Sequence, residues 1–487
     1  RTPQATRVCR GPARTDPQTM DSGSLKRQKL DYSAPTTEEL INLKETALLF
    51  KSNLFKLQID ELLREVTPAA VPDIDDGRKA SAPLDKYLRE LKSVLVAMPS
   101  KDVTLKPKTS VLDSVRVPYL KPLTFTVKPP AKVTVVGSYL LRTIAKPVTN
   151  VDLALEMPKD SIINKDYLSF KYLTKRAAYV ERVVKYLKNH PSKYYTEVRV
   201  EHFMGDLQKP IAVLKPLSGM KKPGGLAKKF ARFEIRLLPG LPADAFPIRK
   251  LLPLRNCARP SGDTIKDEDD TLTSKATPLY NQRVLEDMAF VPHLKLLHKI
   301  LKGAPALAQT LRLLRVWCRQ RGLYYGTDAH KSTKKYGGGL DKGGGFSGFA
   351  LGLVLVYLVE QRIMSRGMSV NQAFKATIRF LAERDLSQEP AYIKGAGEDG
   401  KNTVSEVLGD YTKAFAASVI GPMGVNVFCR ASTESYAWLR AQAKRTLQLL
   451  TQGEDEASGA AEAEEAKEEE EDNHQEMQIE GGWGEEK

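Results

Sequence analysis

The chain has 487 residues, 41% of them apolar and 28% charged, enough to build two or three substantial cores. Its longest apolar run, Phe349 to Val359, falls far short of the ~20 residues a membrane helix needs, so no membrane partner is expected. The net charge of +16 hides an asymmetry: Glu454 to Lys487 hold 15 acids and two lysines, leaving +29 on residues 1–453, the footprint of a polyanion partner such as RNA.

In chain order, residues 1–35 lack apolar periodicity and read as a disordered basic N-terminus, with Met20 as a translational start. Lys26-Arg27-Gln28-Lys29 is compatible with a nuclear address. A helical arm is expected over 36–100. Thr36 and Glu39 form a capping signal ahead of Leu40, Leu43, Ala47, Phe50, Leu54, Leu57 and Leu62, and a second helix runs from Leu84 to Met98.

Residues 101–240 carry short β-branched runs between Pro and Gly. Strands are expected at Leu123–Val127, Lys132–Val136, Val151–Met157, Glu197–Val200, Ile211–Leu214 and Phe230–Leu238, with helices at Tyr139–Ala145 and Tyr167–Leu187. A connector, 241–277, leads to a mostly helical region, 278–450. Its helices are expected at Asn281–Leu301, Pro305–Arg321, Phe346–Ser365, Asn371–Glu383 and Ser435–Leu450. The acidic tail, 451–487, reads as disordered. The four cysteines and six histidines lie apart from one another; His293 and His298, five apart, fall on different sides of a helix, so neither metal ligation nor a redox pair is expected.

The chemistry concentrates around Val133-Thr-Val-Val-Gly137-Ser138 and Asn150-Val-Asp152-Leu-Ala154-Leu-Glu156. A strand entering Gly-Ser at a helix start, followed by an Asp on the next strand, is the layout of nucleotide transfer. Glycine admits the triphosphate, the serine hydroxyl and helix amides bind its oxygens, and carboxylates at i and i+2 bridge two metal ions ~4 Å apart. Here i is Asp152 and i+2 is Ala154, so the second ligand is missing. Glu156 lies ~13 Å along the strand, too far to share the metals. Glu234 is the candidate for a third carboxylate, leaving one poor site at best; no cofactor and no bound metal are expected.

Farther on, Leu313-Leu-Arg-Val-Trp317-Cys-Arg-Gln-Arg321-Gly322 and Gly343-Gly-Gly-Phe346-Ser347-Gly-Phe349 resemble two helix segments of the central domain in poly(A) polymerase-like and oligoadenylate synthetase-like nucleotidyltransferases. The expected fold class is therefore α+β: a nucleotidyltransferase-like, polymerase β-type palm, then a mostly α-helical poly(A) polymerase/oligoadenylate synthetase-like domain. Adding Lys165-Asp-Tyr-Leu, Lys175-Arg-Ala-Ala-Tyr179, Tyr280-Asn-Gln and the Tyr436–Leu450 helix, the chain resembles the nucleolar protein 6, or Nrap, family of ribosome-biogenesis factors. That resemblance implies a nucleolar, non-catalytic scaffold of the small-subunit processome, meeting pre-ribosomal RNA, small nucleolar RNA and partner proteins during 18S rRNA maturation. The alternative is an active RNA terminal nucleotidyltransferase with an atypical carboxylate set. Candidate RNA contacts are Lys221, Lys222, Lys228, Lys229 and Arg232 around a Pro-Gly-Gly loop, and Lys331, Lys334 and Lys335 beside the glycine run.

Overall fold

The computed structural model describes residues 55–71, 77–106, 110–111, 115–116, 122–190, 194–217, 230, 232–258, 275–324, 345–394 and 404–451. The start of the 36–68 helix, the 1–35 and 452–487 ends and the lysines at 221, 222, 228, 229, 331, 334 and 335 lie outside the described residues.

After a helix described over 55–66, α1 (Gly77–Val96) leads into a two-stranded pair, β1 (Lys101–Leu105) antiparallel to β2 (Leu123–Val127). The central sheet follows: β3 (Lys132–Val136), β4 (Asn150–Glu156), β5 (Tyr195–His202), β6 (Pro210–Pro216) and β7 (Glu234–Gly240), in the spatial order β3-β4-β7-β6-β5. Only β4 and β7 run parallel, and their register places Asp152 opposite Arg236 and Ala154 opposite Leu238. Helix α2 (Lys171–Asn189) crosses one face.

Alternation along the strands decides the layering. Val151, Leu153 and Leu155 of β4, Ile235 and Leu237 of β7, and Ala212 and Leu214 of β6 join α1 and α2 in one buried cluster. The residues between them, Val136, Ala154, Ile211, Val213 and Leu238, join a second cluster with α3 (Pro278–Leu301), α4 (Pro305–Gln320) and α5 (Gly348–Glu360). Helix α5 is buried from Ala350 to Leu358 without a polar face, so it forms the centre of the helical layer. Helix α6 (Val370–Glu383), opened by a Ser369–Gln372 capping box, and a last helix over 433–451 enclose it.

Most expected elements sit within a few residues of their observed bounds. The helix expected over Tyr139–Ala145 does not form. Residues 137–142 are a turn, because Gly137 (φ 75°) and Arg142 (φ 57°) both take the left-handed region and interrupt helical backbone. The strand expected from Phe230 begins only at Glu234, and the helix expected over Phe346–Ser365 runs from Gly348 to Glu360.

The palm and the helical layer share a buried charge network on α3. Asp287 accepts from Tyr172 Oη (2.8 Å) and Arg176 Nε (2.7 Å) of α2, and Lys209 Nζ lies 2.9 Å from its other oxygen. The neighbouring Glu286 pairs with Lys209 (2.7 Å) and with Arg430. Burial would raise the Glu286 carboxyl, but Arg430 and Lys209 outweigh it and hold it well below the usual range.

Candidate nucleotidyltransferase-type site

The site begins with the turn after β3. Gly137 is required there by its positive φ and by space: a Cβ would stand 2.7 Å from Asp152 Oδ2. Leu141 N donates to Gly137 O and Thr143 N to Ser138 O, closing the turn. Tyr139 Oη donates to Asp85 and Arg142 Nη2 to Ser81, so the turn is pinned to α1 instead of opening a helix with free amides. Ser138 is half-buried.

Asp152 stands against this turn, 8% exposed, and both of its oxygens are taken. Arg236 donates Nε to Oδ1 (2.6 Å) and Nη2 to Oδ2 (3.0 Å), and Asn150 Nδ2 donates to Oδ1 (2.9 Å). This is the two-pronged guanidinium–carboxylate pairing that parallel β4–β7 register makes possible. At the next step along the face, Ala154 and Leu238 fill the space with methyl groups.

Glu234 corrects the expectation of a third carboxylate. It shares the sheet face but pairs with Asn150, one repeat of ~7 Å away from Asp152. Arg199 of β5 reaches over to it (2.6 Å) and also holds Glu201 (2.8 Å). Asp152 and Glu234 are thus each matched by an arginine. Among the described residues no group of three His, Cys, Asp or Glu side chains could hold a metal ion. The residues present do not fit the two-metal pair that this palm layout implies, because the one carboxylate in place is already neutralised and its partner position is a methyl group.

Helix α4 meets the segment after the Gly-Ser turn with arginines at i, i+3 and i+7. Arg312 Nη2 donates to Arg142 O (2.6 Å), Arg315 Nη1 to Thr143 O, and Arg319 Nη1 to Lys146 O (2.9 Å). They hold the segment after the Gly-Ser turn by its carbonyls. Tyr324, beyond the end of α4, accepts from Arg315 Nη2 (3.2 Å) and lies under the Arg319 guanidinium (5.1 Å to the ring centre). Burial raises the phenol, yet Arg315, Arg319 and Arg236 together hold it below its ordinary value.

Of the residues singled out in the sequence, the structure brings Gly137 and Asp152 into contact, buries Ala154 and leaves Glu234 apart. Arg232, half a turn before β7, is exposed. Trp317 and Phe346 are core residues: Trp317 Nε1 donates to Thr446 Oγ1 (3.0 Å) and Phe346 packs edge-on against Phe428. Sequence reading passed over Arg236, though an arginine two residues after a candidate carboxylate on a β-strand is itself a signal that the face is charge-paired. The arginine spacing on α4 was visible as helical periodicity.

This arrangement defines a nucleotidyltransferase-type palm joined to a helical poly(A) polymerase/oligoadenylate synthetase-like domain. Residues 98–303 match Nrap protein domain 1 and residues 306–457 match the Nrap protein PAP/OAS-like domain. The chain belongs to the Nrap family. It is 32% identical to nucleolar protein 6 of Homo sapiens over 453 residues (89% of this chain, 35% of that protein), and 31% identical to that of Mus musculus over 458 residues (91% and 36%). It is 29% identical over 436 residues (84% and 33%) to U3 small nucleolar RNA-associated protein 22 of Saccharomyces cerevisiae. The chain therefore spans about a third of the length of these relatives. The solved structure of a cytoplasmic RNA terminal U-transferase aligns with 82% of this chain and 93% of its own, at 11% identity and a TM-score of 0.39.

Proposed function

We propose that this chain is a non-catalytic scaffold segment of the small-subunit processome, which keeps the nucleotidyltransferase architecture for its shape and its basic surface. The observation that carries the reading is the Arg236–Asp152 pair: the only carboxylate at the metal position is occupied on both oxygens by a fixed cation. A guanidinium supplies one positive charge with no exchangeable coordination sites, so it cannot activate a 3′-hydroxyl or gather triphosphate oxygens as metal ions do.

RNA contact is supported by the surplus of +29 on residues 1–453 and by the name of the yeast relative, which associates with U3 small nucleolar RNA. Lys221, Lys222, Lys228, Lys229 and Arg232, and Lys331, Lys334 and Lys335, are proposed to follow phosphates of pre-ribosomal or small nucleolar RNA. Incubation of the protein with RNA, Mn²⁺ or Mg²⁺ and each labelled nucleotide is expected to give no extension; template-free addition that disappears in Asp152→Ala overturns the non-catalytic reading. Crosslinking in cells is expected to recover RNA-bound peptides from 215–236, and their absence would point to a scaffold that meets proteins only.

A further inference from the structure

We propose that Trp438, with Arg321 and Arg445 beside it, forms a stacking site for unpaired bases of single-stranded RNA, the two guanidinium groups taking flanking phosphates. The last helix, over 433–451, turns Tyr436, Leu439 and Ala443 into the core, while Trp438, Ala441 and Arg445, at i, i+3 and i+7, share a face left to solvent. Two tryptophans meet this helix in different ways. Trp317 is 3% exposed and gives its N–H to Thr446; Trp438 is 44% exposed, although its Nε1 donates to Arg321 O (3.3 Å). That hydrogen bond ties the indole to the end of α4 and fixes the ring at the surface. Little rotamer freedom then remains to be lost when a flat ligand lies on it.

The charges around the indole single out a polyanion. Arg321 lies over the Trp317 ring, 5.3 Å from its centre, and Arg445 is near enough for its charge to be felt there: burial and Arg445 together hold the Arg321 guanidinium below its ordinary value. Cys318, the other ionisable neighbour, offers no counter-charge, because burial pushes its thiol up and keeps it neutral. Neither arginine has a carboxylate partner among the described residues. Between Ser435 and Thr451 the helix carries Arg440, Lys444 and Arg445 and no acid, and Arg440 is answered by Asp385 (3.0 Å). Glu434, one turn before Trp438, is held at the helix start by its own amide and Ser432. Like charges side by side repel until an anion joins them, and a nucleic acid strand brings phosphates for the arginines and a flat face for the indole. Duplex RNA has its bases already stacked on one another, so the site selects single strands. The inference rests on the reading that this chain meets RNA and adds which form of RNA it holds.

Fluorescence anisotropy of the full chain tests it, with labelled 12-nucleotide oligo(U), a 12-base-pair RNA duplex and heparin as ligands. Trp438→Ala is expected to weaken oligo(U) binding roughly tenfold or more and Trp438→Phe to restore most of that affinity, while both leave duplex and heparin within about twofold of the parent. Arg445→Gln is expected to weaken all three ligands and to lower the slope of log affinity against log salt for oligo(U) by ~0.7. Oligo(U) is also expected to quench indole emission in the parent, and Trp438→Phe to bind without that component, a signal that a purely structural role for the ring does not produce. An oligo(U) affinity that Trp438→Ala leaves within about twofold, or a loss shared equally by duplex and heparin, overturns the proposal and gives the exposed indole to a protein neighbour. In that case RNA crosslinks at 215–236 would keep the scaffold reading standing. A parent that binds neither form of RNA overturns the site together with the RNA contact on which it rests.

Discussion

Replacing Ala154 with Asp puts back the second carboxylate of the i, i+2 pair, and the structure predicts that this change alone brings no metal. Ala154 is 5% exposed, faces Leu238 across β4–β7 and shares its buried cluster with Ile211 and Val213. The cation on the adjacent strand, Arg236, already holds both oxygens of Asp152. The new carboxylate loses water without gaining a partner, and an unpaired buried charge costs ~3–5 kcal/mol. With an unfolding entropy of ~2.1 cal/mol/K per residue, the roughly 320 described residues give a loss of about 1.5 °C per kcal/mol, so Ala154→Asp is expected to melt about 4–8 °C lower. Differential scanning fluorimetry with and without 1 mM MnCl₂ should give the same lowered midpoint. The double variant Ala154→Asp/Arg236→Ser frees Asp152; two carboxylates binding Mn²⁺ with a Kd of about 10 µM would gain ~2.7 kcal/mol at that concentration, or about 4 °C. If Mn²⁺ raises the single variant as far as the double, Arg236 is not what closes the site, and the reasoning fails.

Other expectations follow from the same contacts. Asp287→Ala strands fully buried Arg176 and should cost ~3–5 kcal/mol in urea unfolding, whereas Asp244→Ala, which breaks the exposed pair with Lys159, should change the midpoint little. Gly137→Ala drives a methyl group into Asp152 Oδ2 and strains a positive-φ position; a loss of ~1–3 kcal/mol by the same assay is expected, and a neutral result would show that the turn relaxes freely. Burial holds His293 down at about 4, against 6.5 for a free imidazole, so the unfolded chain takes up a proton that the folded chain refuses. Stability is then intact above pH ~6.5 and declines as pH falls towards 4, by ~2–3 kcal/mol at pH 4.5, a slope that should flatten in His293→Asn.

Much of this is legible in the sequence. The i, i+2 alternation of Asp152 and Ala154 needs only the period of a strand, and a buried α5 needs only an apolar run bounded by Gly348. What the residues did not disclose was pairing at long range. The match of Asp152 with Arg236 joins strands 84 positions apart, and nothing local fixes their register. Glu234 was selected for its residue type two positions from the one that matters; a shift of one strand repeat separates a candidate ligand from an arginine's partner. The missing 139–145 helix is a similar case. Its apolar spacing was acceptable, but hydrogen bonds from Tyr139 and Arg142 to α1 and from α4 to the following carbonyls favour a turn that propensity does not foresee.

The buried ion network on α3 also sets how the protein answers to salt. Exposed lysines and arginines lose their hold on phosphates as the Debye length shrinks from ~10 Å at 0.1 M towards ~3 Å at 1 M. Arg176, Lys209 and Asp287 are sealed from the counter-ions that do this, with side chains showing no exposure at all. Palm and helical layer are therefore expected to stay joined at salt concentrations that screen every exposed charge on the outside.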